Sequence, residues 1–210
     1  MTRRILLALL GRYASFVAMC ALALVHEGTP GTALADPLLE LVPYVAWVDR
    51  ANWLLWLALY LPLALAFLVR EPERWIRYMW TGALVSLARG LCLLAVPLAV
   101  PDPAHAGPGI GTRSYGQALY ELVSPFHVFF ESSQRAYLTQ DLFFSGHAAT
   151  TFLLWLYLRG RRWLGPLALV GHLACVASVF LAHLHYTIDV LGAWAVTWGI
   201  YALRERRGGA

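Results

Sequence analysis

Long apolar runs separated by short polar segments form the dominant pattern of this chain. A membrane-spanning helix needs about 20 mostly apolar residues. Six runs have this character, and the fourth of them is short and begins beside polar residues. They cover about residues 5–25, 51–69, 77–98, 142–158, 163–183 and 185–203. The pattern predicts an all-α, polytopic membrane protein with a bundle of six transmembrane helices.

One long connection separates the third run from the fourth. Residues 99–141 open with a segment rich in proline and glycine, which breaks helices. Residues 115–134 then mix aromatic side chains with Glu and Gln, which is typical of a helix lying in the membrane interface. We expect a single domain, 1–210, that consists of spans 1–3 (1–98), an outer loop with this interfacial helix, and spans 4–6 (142–203).

Composition supports the membrane interpretation. The hydrophobic fraction is 60% and the mean hydropathy is +0.59, whereas soluble domains have about 45–50% apolar residues. The net charge is +4, and all 16 basic residues are arginines. They cluster at the ends of the apolar runs rather than along one polar face. The pattern therefore argues against a nucleic-acid partner and favours charged loops that flank membrane spans.

The arginines also predict the orientation. Twelve lie in the N-terminal segment, the 70–77 loop, the 159–162 loop and the C-terminal tail, with Arg12 counted in the first of these. The opposite side holds Arg50, Arg113 and Arg135. By the positive-inside rule the first side is cytoplasmic, and an even number of spans places both termini there. We expect an integral membrane protein of a bacterial inner membrane, since a chain rich in Arg and Ala but without Lys is typical of GC-rich bacterial genomes.

The first span has a second interpretation. Arg3 and Arg4, an apolar stretch and the Ala-Leu-Ala sequence before Asp36 are similar to a secretory signal with its cleavage site. However, Arg12 interrupts the apolar run, and a polar stretch separates the end of that run from the cleavage position. We therefore expect the first span to be a transmembrane helix.

Two polar segments interrupt the last third of the chain. The first, DLFFSGH, covers residues 141–147, and the second, AHLHYTIDV, covers residues 182–190. Each lies at the non-cytoplasmic entrance of a span that runs from outside to inside. The topology therefore predicts that His147 and His185 lie at the same membrane depth and on the same side.

The residue types in these segments suit phosphoryl transfer. His185 and Asp189 are four residues apart on one helix, so the carboxylate can fix the imidazole tautomer and make the other ring nitrogen more basic. Ser145 is a good N-cap for the fourth span. The N–H groups of a first helical turn bind anions, and Gly146 allows a ligand to approach that backbone closely. The sequence predicts a phosphate at the start of the fourth span, between two histidines.

The same segments resemble the signature motifs of a known family. The sequence SGH, ending at His147, and the sequence HYTID, beginning at His185, are similar to the second and third motifs of the type 2 phosphatidic acid phosphatase (PAP2) superfamily. The longer strings, from Asp141 and from Ala182, resemble those of its sphingomyelin synthase branch. This resemblance implies a PAP2-like six-helix bundle whose active site faces the periplasm or exterior.

The resemblance also implies catalytic roles. His185 attacks the phosphorus of a lipid phosphodiester and forms a phosphohistidine, while Asp189 orients and activates His185. His147 protonates the leaving lipid alcohol and then acts as the base for the acceptor. The expected partners are a membrane phospholipid and, as acceptor, water or a lipid alcohol, with no metal or other cofactor. The expected substrate-binding residues are Arg89, Asp141, Ser145, Gly146, His183 and Tyr186.

Arg89 lies inside the third span, about 12 Å below its outer end at a rise of 1.5 Å per residue. An arginine at this depth must meet an acid or an anionic ligand. Two roles of Arg89 therefore stay open. One is an ion pair with Asp141 or Asp189, and the other is binding of the substrate phosphate.

The choice between substrates rests on what the chain lacks. The phosphatase branch of the family typically has a Lys-x6-Arg-Pro motif that holds a terminal phosphate, and this chain has no Lys and no Arg-Pro. We therefore expect a phosphodiester substrate, hydrolysed or transferred with release of diacylglycerol. The alternative is a lipid phosphate phosphatase acting on phosphatidic acid or a polyprenyl pyrophosphate. Gln140 and Ala148 stand where the synthase motif has Gly and Thr, so the donor and the acceptor stay open, as does the oligomeric state.

Three further classes of protein were weighed. His147, His183, His185 and Asp189 are a plausible zinc set by ligand type. A transporter would also carry ionisable residues near membrane depth. An intramembrane serine protease using Ser145 is disfavoured because its Gly-x-Ser-Gly setting is absent. The phosphoryl-transfer interpretation accounts for more of these residues than any of the three.

Overall fold

The structure is a computed structural model that describes residues 1–25, 27, 31–105, 114–124, 140 and 142–207. Within these ranges the chain is all-helical and forms no β-strand, as the sequence predicts. The α-helices are α1 Thr2–Leu24, α2 Pro37–Glu40, α3 Ala46–Arg70, α4 Pro72–Ala95, α5 Tyr115–Val123, α6 Gly146–Leu158, α7 Leu164–Leu181 and α8 Thr187–Arg207. Pro103–His105 form a short 3-10 helix.

Four of the described helices, α1, α3, α4 and α7, are long and apolar enough to cross a membrane. The helix α6 has 13 residues and is about 20 Å long, shorter than a hydrocarbon core of roughly 30 Å. The helix α8 has 21 residues, but Asp189 lies in its first turn and its last turn is Arg-Glu-Arg-Arg. The six-span count therefore stays a prediction for these two helices.

The buried centre of the bundle is built around Tyr157 of α6. Its side chain is fully buried, and the ring centroids of Phe67, Tyr78 and Tyr201 lie 6.3, 5.7 and 5.1 Å from its own. Its hydroxyl hydrogen-bonds Thr81 at 2.8 Å. These contacts join α3, α4, α6 and α8 through one residue. The helix α1 packs along α4 on the outside of this core.

Ion pairs gather four segments at one end of the molecule. They are Arg4–Glu73 at 2.8 Å, Arg77–Glu205 at 3.7 Å, and Arg161–Glu71. They connect the start of α1, the α3–α4 turn, the α6–α7 turn and the last turn of α8, which we call the arginine end. The opposite end, where α6 and α8 begin, is the histidine end. The predicted topology requires this grouping, and the side of the membrane that each end faces stays a prediction.

The turn between α7 and α8 is closed by a Schellman motif. His183 adopts the left-handed conformation, with φ of 49°, at the position after the C-cap where glycine is most common. Its N–H donates to the Phe180 carbonyl at 3.0 Å, and the Leu184 N–H donates to the Val179 carbonyl at 3.1 Å. The backbone thus reverses within a few residues and delivers His185 to the start of α8.

The helix α5 begins the segment for which the sequence predicts an interfacial helix. Ser114 and Gln117 form a capping box at its start. Its ends are tied to α1, because the Tyr115 hydroxyl donates to the Ala21 carbonyl and the Tyr13 hydroxyl donates to the Val123 carbonyl at 2.7 Å. The predicted continuation to residue 134 lies outside the described residues.

Candidate active site

The centre of the candidate site is a buried pair formed by His185 and Asp189. Asp189 is fully buried and His185 is 5% exposed. The His185 Nδ1 lies 3.3 Å from the Asp189 Oδ2. Because an ionised carboxylate only accepts hydrogen bonds, Nδ1 carries the proton and Nε2 presents its lone pair. The Tyr186 N–H also donates to Oδ2, at 2.9 Å, and holds the carboxylate in place.

Asp36 fixes the start of α8 from outside the bundle. Its carboxylate accepts hydrogen bonds from the Thr187 hydroxyl at 2.9 Å, from the Thr187 N–H and from the Leu39 N–H at 3.1 Å. Burial by itself would raise the pKa of Asp36, but the bonds from the Thr187 and Leu39 backbone outweigh it and lower the pKa below its usual value. One carboxylate therefore caps both α2 and α8, and it locks the turn that carries His185.

The start of α6 is joined directly to the first turn of α8. The Ser145 N–H donates to the Asp189 carbonyl at 3.1 Å. Ser145 is also the N-cap of α6, and its hydroxyl accepts from the Ala148 N–H at 3.4 Å. His147 follows in the first turn of α6, two residues after Ser145. The two polar segments that the sequence singles out are thus joined through their backbones.

Arg89 of α4 lies against the same helix start. Its side chain is buried, and its Nε donates to the Phe144 carbonyl at 2.7 Å. The guanidinium lies so near to Gly146 that a Cβ at that position would be 3.1 Å from Cζ. Glycine at position 146 therefore allows a cation to lie at the N-terminus of α6. Together they form an environment for an anion beside His147.

A cavity of about 220 Å³ opens beside His147, between α1, α3, α4 and α6. His147, Arg89, Ser86 and Arg12 line it, together with the aromatic side chains of Phe16, Trp53, Trp56 and Tyr60. Trp56 stacks on Tyr60, with ring centroids 5.1 Å apart, and meets His147 edge-on at 5.6 Å. None of the described residues that line this cavity is acidic. The cavity is cationic at its polar wall and aromatic at the wall formed by α3.

Arg12 lies elsewhere than the sequence suggests. We predict it as part of a cytoplasmic N-terminal segment, but α1 begins at Thr2 and Arg12 lies about 15 Å along that helix. Its side chain donates to the Ser86 hydroxyl, towards the histidine end. An arginine flanked on both sides by apolar runs is the signal in the sequence that predicts such a position.

Two residues that we expect to bind substrate have other surroundings. The His183 Nε2 lies 2.9 Å from the Val42 carbonyl, and its ring meets Tyr44 edge-on. The ring of Tyr186 belongs to a buried cluster with Leu39, Leu98 and Leu142. Neither of these two residues lines the cavity, and His185 does not line it either, whereas Arg89, Gly146 and His147 do. Asp141 lies outside the described residues.

A metal site was also weighed from the sequence. In the described part of the chain, no group of three or more His, Cys, Asp or Glu side chains is arranged to hold a metal ion. His183, which the zinc set requires, is held by Val42 instead.

The helices and the site define a class of protein. Four apolar helices of membrane length are what an integral membrane protein has, and they accompany a buried histidine–aspartate pair. A family model described as PAP2 superfamily C-terminal matches residues 140–206, which include both histidines and Asp189. This match supports membership of the PAP2 superfamily, whose members are generally phosphatases. A search of curated proteins finds no match.

Sequence reasoning missed two residues that shape the site. In the sequence Asp36 is only the residue after a possible cleavage position, yet it caps α8 across the molecule. His172 lies within an apolar run, yet it contacts Thr151 of α6 and Trp194 of α8, each at 2.9 Å. A histidine inside an apolar span is a signal of a buried polar network, whereas nothing local to Asp36 indicates its partner.

Proposed function

We propose that this protein is a membrane lipid phosphotransferase or hydrolase that cleaves a phospholipid phosphodiester and releases diacylglycerol. His185 is the nucleophile, Asp189 orients it, and His147 is the general acid and base. Arg89, Ser145 and Gly146 form the phosphate site. The observation that carries the proposal is the hydrogen bond between the His185 Nδ1 and Asp189, at the start of a helix that is bonded through Ser145 to the helix start of His147.

The first chemical step is a displacement at phosphorus. The lone pair of the His185 Nε2 attacks, and the bond from phosphorus to the glycerol oxygen breaks. His147, protonated at this stage, donates its proton to that oxygen, so that diacylglycerol leaves as a neutral alcohol. The head-group phosphate is now attached to the His185 nitrogen. Asp189 stabilises the positive charge that develops on the imidazole.

The second step regenerates the enzyme. His147, now neutral, removes a proton from the acceptor, which is water or the hydroxyl of a second lipid. The acceptor oxygen attacks phosphorus, the P–N bond breaks, and the electron pair returns to the His185 Nε2. Water yields the free head-group phosphate, and a lipid alcohol yields a new phospholipid. Arg89 and the first turn of α6 stabilise the negative charge on the non-bridging oxygens in both steps.

A lipid phosphate phosphatase is the second candidate, and the position of Arg12 favours it. A phosphomonoester carries up to two negative charges, and the cavity presents two guanidinium groups, from Arg12 and Arg89. The absence of Lys and of an Arg-Pro sequence favours the diester. We rank the phosphodiester first because Arg12, the second arginine of the cavity, also suits the phosphodiester of an anionic phospholipid.

The experiment is a lipid assay with purified protein. Phosphatidylglycerol, phosphatidylcholine and phosphatidic acid are supplied separately, and diacylglycerol, head-group phosphate and inorganic phosphate are measured by mass spectrometry. We expect diacylglycerol from at least one diester and none from the His185→Ala variant. Inorganic phosphate from phosphatidic acid, with no diacylglycerol from either diester, would reverse the ranking of the two candidates.

We also propose that the histidine end faces the periplasm or exterior of a bacterial inner membrane. The proposal is supported by the arginines, which gather at the opposite end, and by the positive-inside rule. Both termini then lie in the cytoplasm, and the substrate is drawn from the outer leaflet.

A further inference from the structure

Arg12 is an ionisable side chain in the middle of an apolar helix. Its Cα lies about 15 Å from the start of α1, near the middle of a hydrocarbon core of roughly 30 Å. The side chain turns towards the histidine end, where its Nη1 donates to the buried Ser86 hydroxyl. Among the described residues no carboxylate forms an ion pair with it. A guanidinium at this depth is costly without an anionic partner.

The neighbouring helix makes room for this side chain. A Cβ on Gly82 of α4 would lie 3.0 Å from the Arg12 Nε and 3.4 Å from its Cδ. Glycine at position 82 thus lets the arginine stem pass directly over the α4 backbone. Together, Gly82 and Ser86 guide the guanidinium to the cavity wall.

Arg12 and Arg89 lie on one wall of the cavity. Ser86, which accepts from Arg12, and Arg89 are three residues apart and therefore on the same face of α4, about 4.5 Å apart along its axis. His147 and Gly146 line the cavity at the level of Arg89. A phosphate held at Arg89 therefore has a second cation within the length of a lipid head group.

We propose that Arg12 is a second anion-binding residue of this cavity and selects anionic phospholipids, whose head groups carry no ammonium. A choline or ethanolamine head group would bring a positive charge towards Arg12 in a medium of low dielectric, where like charges repel strongly. A glycerol head group offers hydroxyl oxygens that accept from the guanidinium instead. This inference rests on the proposed function and names the substrate class of the same site.

The aromatic wall supplies the competing interaction. Trp53, Trp56 and Tyr60 line the same cavity, and aromatic rings bind quaternary ammonium groups. Trp56 already contacts both Tyr60 and His147, so its ring also supports the catalytic histidine. A preference for choline lipids is therefore the outcome that would contradict the role of Arg12.

Binding and turnover are tested with short-chain phosphatidylglycerol and phosphatidylcholine of identical acyl chains. Binding is measured by calorimetry on His185→Ala protein, with and without Arg12→Gln. We expect phosphatidylglycerol to bind more tightly, and Arg12→Gln to reduce the ratio of the two affinities about tenfold or more. Arg4→Gln, the same change on α1 at an exposed ion pair, is the control and leaves the ratio unchanged. Diacylglycerol release is measured in the same variants with His185 intact.

The outcomes are distinct. Tighter binding of phosphatidylcholine, or an affinity ratio that Arg12→Gln does not alter, overturns the role of Arg12. A preserved binding preference without diacylglycerol from either lipid overturns the proposed function and leaves the binding role supported. If Arg12→Gln does not fold, Arg12→Leu is measured in its place, because leucine suits the apolar surroundings of α1 and also removes the charge. We expect the same fall in the affinity ratio, and an unchanged ratio overturns the proposal.

Discussion

The side chain of Asp189 determines how the imidazole of His185 is presented. Its Oδ2 lies 3.3 Å from Nδ1, and its Oδ1 is buried with no hydrogen-bond partner among the described residues. Replacing it with Asn removes the charge that fixes the tautomer. We expect Asp189→Asn to lower kcat by about four orders of magnitude, as loss of an orienting aspartate does in other histidine-dependent enzymes. Activity within tenfold of wild type would show that this pair is structural.

Gly146 lies directly against the guanidinium of Arg89, and we propose that both bind the substrate phosphate. A Cβ at this position would lie 3.1 Å from the Arg89 Cζ, so Gly146→Ala must displace the guanidinium. Alanine is a better helix former than glycine, so we expect α6 to remain folded. We expect kcat/KM to fall tenfold or more with little change in Tm. Gly160→Ala is the matched control, because no atom lies within 4 Å of a Cβ there. Equal activities in the two variants would contradict the proposed position of the phosphate.

At the scale of helices, a buried polar chain joins α6, α7 and α8. The Trp194 Nε1–H donates to the His172 Nε2 at 2.9 Å. Because Nε2 accepts, the one N–H proton of the neutral imidazole lies on Nδ1, which donates to the Thr151 hydroxyl at 2.9 Å. The Thr151 hydroxyl in turn donates to the His147 carbonyl at 2.9 Å. The network thus connects the buried His172 of α7 to the backbone of His147, the residue that we propose as general acid and base.

Removing His172 tests this network. His172→Leu leaves the Trp194 N–H without its acceptor and the Thr151 hydroxyl without its donor, at a cost of about 1–3 kcal/mol for each buried group. We expect a lower free energy of unfolding in detergent, measured by denaturant titration. His172→Gln retains a donor and an acceptor and should recover part of the loss. Stability of His172→Leu equal to that of wild type would mean that the network contributes nothing.

Asp36 makes the start of α8 sensitive to pH. Its pKa is lowered in the folded protein, so its contribution to stability is complete above the unfolded value of 3.8. That contribution is lost as the pH falls below 3.8 and through the folded pKa. We expect Asp36→Asn to reduce Tm at pH 6 and to converge with wild type at the lowest pH. Glu40→Gln, at an exposed carboxylate of the same short helix, is the control. A difference between Asp36→Asn and wild type that does not change with pH would contradict this role.

The helices themselves were largely predictable. Apolar runs and their breaks gave all six long elements, because hydrophobicity and helix-breaking residues act locally. The start of α6 was placed four residues too early, since the apolar Leu142, Phe143 and Phe144 are packed as a non-helical approach to Ser145. The positive φ of His183 was not predictable from its residue type, because tertiary contacts hold a conformation that favours glycine.

At the scale of the whole molecule, the two polar segments that lie about 40 residues apart in sequence meet because α6 and α8 start at the same end. This followed from topology alone, and the hydrogen bond between Ser145 and Asp189 agrees with it. The contacts that Asp36 and Arg12 make could not be predicted. Their partners, Thr187 and Ser86, are 151 and 74 residues away, and no short-range pattern encodes such contacts.

Cysteine labelling tests the proposal that the arginine end and the histidine end face opposite sides of the membrane. In a cysteine-free background, Gly160→Cys at the arginine end should react with a membrane-impermeant reagent from the cytoplasmic side. Leu41→Cys, which is 81% exposed in wild type and lies near the histidine end, should react from the other side. Labelling of both from one side would contradict the proposed crossing of α6.

The central claim is that His185 carries the phosphorus during turnover. Purified protein is mixed with saturating phospholipid substrate, quenched under basic conditions that preserve P–N bonds, digested and mapped by mass spectrometry. We expect the mass of the head-group phosphate on His185 in wild type and none in the His185→Asn variant. An adduct on His147 or on any other residue, or full turnover in wild type without an adduct, would contradict the account.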